Sequence, residues 1–440
     1  GRGTATALGS TVQFGRAPCT QFVDFSLESS HAGPLLFAEE ADGTRLLCAG
    51  QPASVLGHLL ACQGAGDELD LFTFFLSFRT WMSAEDLLAS LSTFVARGEK
   101  RNAALRSRQL ERVKYFVTKW VKWHFARDFW LSPALIEGML KLISGLPEPT
   151  SEGLKRTMEL QLAECATNTT TVGTVRPRRQ SVKAVQRSSH IAPLLKTAPS
   201  RTALLSLSPE ALAEHLATLE FSIFRSIEAV DCLTPASRRA CTQIQELIQR
   251  FNTVSLWVAT EIVKEPLLKR RVAVIKTFVA VAEHAHRINS FNTLLEIAAG
   301  LNLGPVQRLR KTWKAVPKRY LDSIQQLEGL LDGSGNFATY RHQLRGCALP
   351  CLPYFGIFLR DLTYVNEVNY DTVEVQGVEL VNFLKLRQVA ELTRTIGHWQ
   401  STPYAFELTP AIQNYVANLV PLTEITLYKY SKECEPLNEM

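Results

Sequence analysis

Apolar and polar side chains repeat with the period of an α-helix over most of this chain, most sharply in residues 350–369. One face of this stretch has apolar residues at i, i+3, i+4 and i+7, a spacing that predicts contact with a core: Phe355, Phe358, Leu359 and Leu362. The opposite face has the same spacing and is polar or aromatic: Arg360, Thr363, Tyr364 and Glu367. The polar face carries neither a nucleophile–base pair nor a set of metal ligands. The pattern therefore predicts a helix that inserts into a partner.

The helical period recurs on both sides of a central polar stretch. Before it, residues 71–79 and 113–129 have a helical pattern, and Ser83 is placed to cap a helix. After it, the pattern predicts helices over residues 211–227, 237–262, 270–287 and 291–300. Strand patterns are rare, but residues 35–37 and 45–48 flank Asp42-Gly43, a dipeptide suited to a hairpin turn. The predicted fold class is all-α, with a small β-hairpin in a mostly helical N-terminal domain.

The central stretch divides the chain. Residues 165–209 contain only basic charged side chains, so the net charge of +6 rests on them and the remainder is near neutral. A basic surface for nucleic acid is therefore not predicted, and nucleic acid is not expected as a partner. We expect an N-terminal domain over residues 1–164, a basic flexible linker over 165–203 and a C-terminal domain over 204–440.

The linker contains one candidate modification site. Arg178-Arg179-Gln180-Ser181 matches the pattern of a basophilic kinase site, with Ser181 as the acceptor. Two interpretations stay open: an unmodified, solvated tether, or a regulatory contact such as one with an anionic membrane surface. No run of 18 apolar residues is present to span a bilayer. The expected location is the cytoplasm, with recruitment to membranes left open.

The residue patterns of covalent catalysis are absent from the sequence. It has no GxxxxGK[ST] phosphate loop, no GxSxG turn and no HExxH helix. Its nine cysteines are scattered, and the closest pair, Cys347 and Cys351, has only His342 nearby, which favours free thiols over disulfides or zinc. His215 and Glu220 lie in amphipathic patterns and are expected to be solvated or to cap helices. We therefore expect no cofactor, no metal and no covalent enzyme chemistry.

Five motifs follow one another in the C-terminal part. They are residues 207–220 (LSPEALAEHLATLE), 250–258 (RFNTVSLWV), 289–313, 350–369, and 381–387 (VNFLKLR) with Pro403-Tyr404. Together they resemble, over about residues 205–438, the catalytic domain of Ras-family guanine nucleotide exchange factors of the Son-of-sevenless type. In the N-terminal part, residues 53–60, 75–81, 85–88 and 120–129 resemble the Ras exchanger motif domain that accompanies such catalytic domains.

The resemblance implies a protruding helical hairpin, here residues 356–369 and 379–397, that pries open a small GTPase. An exchange factor binds the nucleotide-free GTPase more tightly than the loaded one, so it must weaken nucleotide binding by the same factor. The implied partner is a Ras-like GTPase of the Ras, Rap or Ral type. Thr363 matches the side chain that projects toward the Mg²⁺ site, and Glu367 matches the carboxylate that overlaps the α-phosphate region.

The resemblance also implies residues that bind the GTPase. Tyr354 matches an aromatic at the base of the hairpin, and Asn302 matches a polar residue that positions switch II. Five further interface candidates are Asn369, Arg360, Tyr364, Arg250 and Asn252. Other interpretations stay open, because the Tyr354 ring suits a core anchor and the two asparagines at 302 and 369 suit turns.

Two features depart from the family pattern. Val368 stands where a glycine would ease the exit of the chain from the helix, and the following loop, residues 370–376, is rich in Val and Glu. Both put the angle of the hairpin, and with it the choice of GTPase, in question. The alternative function is a non-catalytic adaptor or scaffold that keeps the fold and binds GTPases without exchange, and the retained Glu367 favours catalysis.

Overall fold

A computed structural model describes residues 5–7, 12–15, 24–30, 33–39, 45–61, 67–98, 103–170, 203–330 and 332–436. The chain divides into two compact units. The first unit comprises Gly1–Arg187 together with Thr363–Leu392, and the second comprises Ser188–Leu362 together with Thr393–Met440. Part of the predicted hairpin therefore belongs to the N-terminal unit. The predicted domain and linker boundaries at residues 164 and 203 stay a prediction.

Helices make up most of the described chain. In chain order they are α1 Pro52–Ala61, α2 Asp67–Ser77, α3 Ala84–Gly98, α4 Ala103–His124, α5 Pro133–Ser144, α6 Thr150–Thr170, α7 Ala203–Ser206, α8 Pro209–Arg225, α9 Pro235–Ala240, α10 Thr242–Val263, α11 Leu268–Arg287, α12 Phe291–Leu301, α13 Gly304–Gln307, α14 Arg310–Ala315, α15 Lys318–Leu330, α16 Ser334–Gly346, α17 Phe355–Val368, α18 Phe383–Gln400, α19 Pro410–Ala417 and α20 Glu424–Cys434. The mostly helical fold that the sequence predicts is confirmed. Among the described helices, none combines the length and apolarity that crossing a bilayer requires.

The predicted β-hairpin is real but belongs to a larger sheet, so the all-α fold class is wrong for the first unit. The strands are β1 Ala5–Ala7, β2 Asp24–Ser30, β3 Gly33–Glu39, β4 Arg45–Gly50, β5 Thr372–Val375 and β6 Val378–Asn382. They form an antiparallel sheet in the order β1-β2-β3-β4-β6-β5. β3 and β4 are the predicted hairpin, and the predicted turn at Asp42-Gly43 lies outside the described residues.

The sheet explains two apolar clusters in the first unit. Successive side chains of a strand point to opposite faces, and along β3 Leu35 and Phe37 belong to one cluster whereas Leu36 and Ala38 belong to the other. The larger cluster is aromatic, with the rings of Phe74 and Phe116 5.6 Å apart. Because both faces of β3 are buried, its sequence is a continuous apolar run rather than an alternating one.

Local signals fix the helix starts around these cores. The Ser83 hydroxyl accepts a hydrogen bond from the Asp86 amide at 3.0 Å just before α3, so the predicted cap is confirmed. Ser208 caps α8 in the same way through the amide of Ala211 at 3.1 Å. In the second unit α8, α10, α11 and α12 surround an apolar core in which the Trp257 and Phe278 rings meet edge to face at 5.1 Å.

Candidate functional site

Helix α17 starts from a firmly held segment in the second unit. Leu352 lies three residues before Phe355, the first residue of α17. The Leu352 amide donates to the Asn289 carbonyl at 2.9 Å, and its carbonyl accepts from the Phe291 amide at 2.8 Å. The Tyr354 amide donates to the hydroxyl of Tyr340, a fully buried side chain, at 2.8 Å. The start of α17 is therefore fixed by backbone hydrogen bonds that do not depend on its own side chains.

The two predicted faces of α17 have opposite exposure. Phe355, Phe358 and Leu362 are buried, and the Phe358 ring meets Trp399 at 5.1 Å. Leu359, also predicted in the core, is only half-buried, and Ile357 is buried in its place. The polar face is exposed over Arg360, Thr363, Tyr364 and Glu367.

Glu367 and Tyr364 are the most available side chains of the polar face. Tyr364 is 64% exposed. Among the described residues, none hydrogen-bonds to or pairs with the Glu367 carboxylate. Thr363 is exposed one helical turn before Glu367, so both side chains lie on the same side of the helix.

Arg360 differs from its neighbours because the start of α16 engages it. Its guanidinium lies 4.8 Å from the centre of the Phe337 ring and donates a hydrogen bond to the Asn336 side chain. Asn336 and Phe337 both have positive φ, at 61° and 59°, a conformation that costs energy in residues other than glycine. The neighbouring Asp361 accepts a hydrogen bond from Arg341 Nη2 at 2.9 Å and forms an ion pair with its Nη1 at 2.8 Å.

The other end of α17, in the first unit, is held by Lys385. This side chain is 5% exposed, and its ammonium group lies 3.1 Å from the Asn369 carbonyl, 3.4 Å from the Asn366 carbonyl and 2.8 Å from the Asp371 carboxylate. The last carbonyls of a helix carry partial negative charge and lack partners within the helix. Lys385 therefore caps α17. No spacing rule in the sequence distinguishes this lysine from an exposed one.

Asn369 is tied to the same place. Its amide and side-chain nitrogens donate to the Val365 carbonyl at 3.2 and 3.0 Å, and its side chain also donates to Gln388 at 3.2 Å. Gly15 forms a bridge with Asn369, and a Cβ at Gly15 would lie 2.2 Å from the Val368 carbonyl oxygen. Asn369 is therefore bonded within its own unit at the end of α17, and its proposed contact with a GTPase stays a prediction.

The predicted hairpin differs from the observed one between its helices. The sequence interpretation placed a loop at residues 370–376 and the second arm at 379–397. The structure has the strands β5 and β6 there, and α18 begins only at Phe383. The turn between the strands is Gln376-Gly377, with φ of 52° and 77°. The signal was present, because two alternating runs separated by X-Gly indicate a hairpin with a two-residue turn.

α18 is anchored in the first unit by residues 381–387, which belong to the fifth sequence motif. β6 adds to the sheet by pairing Val381 with Gly50 and Asn382 with Ala49. Phe383 is fully buried in the larger apolar cluster, and Arg387 forms an ion pair with Asp70 of α2. Residues 381–387 therefore hold the second arm in place, and their contacts within this unit are structural.

The remaining predicted interface residues lie in the second unit and differ in availability. Asn302 ends α12 and is exposed, but its amide is engaged by Glu328 at 2.9 Å and Gln307 at 3.0 Å. Asn252 is exposed on α10. Tyr354 is half-buried, with its ring 5.2 Å from that of Phe251. The Tyr354 ring thus has an aromatic contact within its own unit, and both interpretations of this residue stay open.

Arg250 is 8% exposed and lies in a buried polar cluster that sequence reasoning missed. Within the described chain, its Nε and Nη2 atoms have no hydrogen-bond partner. The cluster also holds Glu220 and Glu296, both fully buried. Asn292 donates to both carboxyl groups, at 3.2 and 2.9 Å, and Thr293 donates to Glu220 at 2.8 Å.

The two carboxyl groups of this cluster share one environment. Burial raises the pKa of Glu296 well above its usual value, the adjacent Glu220 raises it further, and the Arg250 charge opposes this shift. The expectation that Glu220 is solvated is wrong, and so is that for His215, which is buried and accepts from the Thr409 amide at 2.8 Å. An amphipathic pattern cannot separate a solvated polar residue from one that is buried with partners.

The described residues contain no group of three or more His, Cys, Asp or Glu side chains that could hold a metal ion. Ser181, the predicted phosphorylation site, lies outside the described residues. No observation of the structure tests the proposed roles of the other site residues, so these roles stay predictions.

Comparison with known proteins finds a domain match in the C-terminal part. Residues 211–387 match the RasGEF domain. The chain carries a RasGEF domain. This match begins in α8 and ends in α18, so it includes α17 and both of its anchored ends. The resemblance of this part of the chain to the catalytic domain of Ras-family exchange factors is confirmed.

Curated relatives of this RasGEF domain are named as exchange factors. Ras guanine nucleotide exchange factor Y of Dictyostelium discoideum is 36% identical over 230 residues, 51% of this chain and 15% of that protein. Factor M of the same organism is 35% identical over 239 residues, 52% of this chain and 26% of that protein. Ras-specific guanine nucleotide-releasing factor 2 of Danio rerio is 33% identical over 245 residues, 54% of this chain and 19% of that protein. The chain thus spans less than a third of the length of these relatives.

Proposed function

We propose that this chain promotes GDP release from a Ras-like small GTPase by inserting α17 into the site of the nucleotide and its Mg²⁺. The observation that carries the proposal is the exposed Glu367 carboxylate, which has no partner among the described residues and lies on a helix that is anchored at both ends. The RasGEF match and the names of the relatives support the same class of activity.

The anchoring matters because only a rigid helix can displace the nucleotide and its Mg²⁺ from the GTPase. The backbone around Leu352 holds the start of the helix, and Lys385 holds its end. Such a helix loses little conformational freedom on binding, so more of the contact energy remains for opening the GTPase. By reciprocity, the returning nucleotide weakens the binding of this chain by the same factor by which the chain weakens nucleotide binding. The nucleotide-free GTPase is therefore the preferred partner.

Glu367 would act on the phosphate of the bound nucleotide, and Thr363 would act on its Mg²⁺. A carboxylate about 4 Å from a phosphate oxygen is repelled by about 4 kcal/mol at an effective dielectric constant near 20. In the proposed role, Glu367 supplies that repulsion at the phosphate. Thr363, one turn earlier on the same face, occupies the Mg²⁺ position. Neither role involves a covalent bond.

Seven other residues are proposed to contact the GTPase. Tyr364 and Asn252 are exposed. The other five are buried or have contacts within their own unit: Tyr354, Asn302, Asn369, Arg360 and Arg250. We propose that they hold the shape of the GTPase-binding surface as well as contact the GTPase directly. We further propose that residues 1–164 are a Ras exchanger motif domain, on the sequence resemblance given above.

The experiment that tests the function is release of a fluorescent GDP analogue from purified Ras, Rap and Ral proteins in excess unlabelled GDP. The chain is added as the wild type or as Glu367→Ala, with Glu159→Ala as the control. Glu159 is likewise an exposed helical glutamate of the first unit. We expect acceleration for at least one GTPase, lost in Glu367→Ala and retained in Glu159→Ala.

A second measurement separates exchange from simple binding. Binding of the chain to each GTPase is measured without nucleotide and with excess GDP. Tight binding without acceleration of release, by a chain with a helical circular dichroism spectrum, would overturn the exchange function in favour of the adaptor. Acceleration of a single GTPase would also name the substrate class.

A further inference from the structure

The outer face of helix α4, in the first unit, is basic and aromatic. Between residues 105 and 123 the chain has six basic side chains and one acidic side chain, Glu111. Spacings of three and four residues place six of these positions on one side of the helix: Arg108, Arg112, Tyr115, Lys119, Lys122 and Trp123. The opposite side of α4 is buried in the larger apolar cluster, through Val113 and Trp120 among others. The six residues are the basic–aromatic face of α4.

The two aromatic side chains of this face are partly exposed and yet held in place. Tyr115 is 39% exposed and Trp123 is 40% exposed. The Trp123 ring meets Phe72 edge to face at 6.3 Å and Phe75 at 5.9 Å. Part of the indole is therefore fixed by the core while the rest faces solvent. Leu105, at the start of the same side of the helix, is also exposed.

Cations lie directly beside these rings. The ammonium group of Lys119 is 4.6 Å from the centre of the Trp123 ring and 5.2 Å from that of Tyr115, and the Arg112 guanidinium is 6.0 Å from the Tyr115 ring. Lys119 also lies 3.5 Å from the carboxylate of Glu68, a side chain of α2 that is mostly exposed. Positive charge and ring surface are thus interleaved along one line of the helix.

Much of the charge on this face is available to a partner. Arg108 and Lys122 are exposed, and within the described chain neither forms a hydrogen bond or an ion pair. Arg112 donates to the Leu59 carbonyl at 3.2 Å, a contact that does not neutralise its charge. From residue 105 to residue 123 the side of α4 that carries this face is about 27 Å long. The charge is local, since the chain outside its central basic stretch is near neutral.

We propose that the basic–aromatic face of α4 binds the surface of an anionic phospholipid bilayer. Tyr and Trp side chains favour the boundary between water and lipid because their rings are apolar and their tips are polar. Lys and Arg beside them are attracted to anionic headgroups. The exterior of a single helix is convex, which suits a flat or yielding surface. The Lys119 ammonium already lies over both rings, which leaves less ring surface for the stacking of nucleic-acid bases.

The test is sedimentation of the full chain with sucrose-loaded vesicles, in the absence of any GTPase. The vesicles are phosphatidylcholine alone or phosphatidylcholine with about 30% phosphatidylserine. We expect binding to the anionic vesicles that weakens as salt is added, and little binding to the neutral ones. Arg108→Gln/Lys122→Gln should bind the anionic vesicles about 30-fold more weakly. Equal binding to both kinds of vesicle, or no binding to the anionic kind, would overturn the proposal.

The matched control removes the same two charges elsewhere in the first unit. Lys141→Gln/Arg156→Gln changes exposed residues of α5 and α6 and should bind the anionic vesicles as the wild type does. All of these chains carry the central basic stretch, so its contribution to binding cancels in the comparison. An equal loss in both double variants would show that net charge alone governs binding, which contradicts a site on α4.

Tyr115→Ala separates a bilayer from other polyanions. The two probes are the anionic vesicles and a short DNA duplex at the same salt concentration. We expect weaker binding to the vesicles, unchanged binding to the duplex and an unchanged helical circular dichroism spectrum. A wild-type chain that binds the duplex at least as tightly as the vesicles would overturn the proposal in favour of nucleic acid. Vesicle binding that does not respond to Tyr115→Ala would also overturn it.

Discussion

The ammonium group of Lys385 donates a hydrogen bond to the carbonyl oxygen of Asn369 at 3.1 Å, from one arm of the hairpin to the end of the other. Lys385 is nearly buried, and its carboxylate partner Asp371 is 91% exposed in its side chain. The cation therefore depends on backbone carbonyls as much as on its ion pair. The contact turns the end of α17 into a fixed point rather than a frayed terminus.

Lys385→Met should loosen the end of α17 while keeping the rest of the first unit folded. The substitution keeps the length of the side chain but removes hydrogen bonds to two carbonyls, which we expect to cost about 1–3 kcal/mol. The measurement is hydrogen–deuterium exchange of residues 366–371, which should accelerate. Asp371→Asn is the control with a smaller expected effect, because that carboxylate is exposed. Equal acceleration in both variants would show that the ion pair, and not the carbonyl contacts, holds the helix end.

Gly15→Ala tests the contact between the N-terminal segment and the same helix end. A Cβ at this position would lie 2.2 Å from the Val368 carbonyl oxygen, and backbone cannot move aside as a flexible side chain can. We expect a loss of about 1–3 kcal/mol in the free energy of unfolding. Gly57→Ala in α1 meets nothing within 4 Å and should be stabilising, by about 0.5–1 kcal/mol. Urea denaturation compares the two, and a neutral Gly15→Ala would argue against this contact.

Phe358→Ala and Tyr364→Ala separate the two faces of α17. The Phe358 ring is buried against Trp399, so its removal should cost about 3–5 kcal/mol of unfolding free energy. Tyr364 is 64% exposed, so its removal should change stability by less than about 0.5 kcal/mol. Thermal denaturation gives both values. If Tyr364→Ala were as destabilising as Phe358→Ala, the assignment of an outward face would be wrong.

The buried carboxyl pair should make the stability of the second unit depend on pH. The pKa of Glu296 is raised in the folded state, so the folded protein holds a proton that the unfolded chain releases. This contribution is fully present below the unfolded pKa of about 4.5 and is lost as pH rises through the raised folded pKa. Glu296→Gln carries no titrating group, so its stability relative to the wild type should improve as pH rises.

Denaturant titrations between pH 5 and pH 8 measure this difference. The control is Glu246→Gln, an exposed glutamate of α10, whose difference from the wild type should stay constant over that range. A Glu296→Gln variant that kept the wild-type slope would show that the pair does not hold the extra proton.

The amphipathic pattern was enough to predict the exposure of Thr363 and Glu367, because a solvent-facing stripe depends on local helical geometry alone. The motif order was enough to identify the RasGEF domain. The strands around Val373 and Leu380 were missed because they are short and because β4, the strand that joins their hairpin to the sheet, lies far away in the chain. Short strands gain their stability from non-local pairing, which a scan of local patterns does not register.

Buried polar residues were the second kind of feature that the sequence could not predict. Lys385 and Glu296 have the residue types of a solvated surface, and only the fold reveals that carbonyls surround the first and a second carboxyl group faces the other. The Gln376-Gly377 turn, by contrast, was readable from the alternating residues on either side of it, which the sequence interpretation assigned to a loop and to the second helical arm.

The chain order of the first unit has a consequence for synthesis on the ribosome. Residues 1–187 emerge well before Thr363–Leu392, which complete the unit. At about 5–20 residues per second, the delay is on the order of ten seconds or more. Until then β4 lacks its neighbour β6, and the core position of Phe383 is empty. The nascent N-terminal half thus spends that interval with an open strand edge, the kind of surface that chaperones bind and that pairs with other chains.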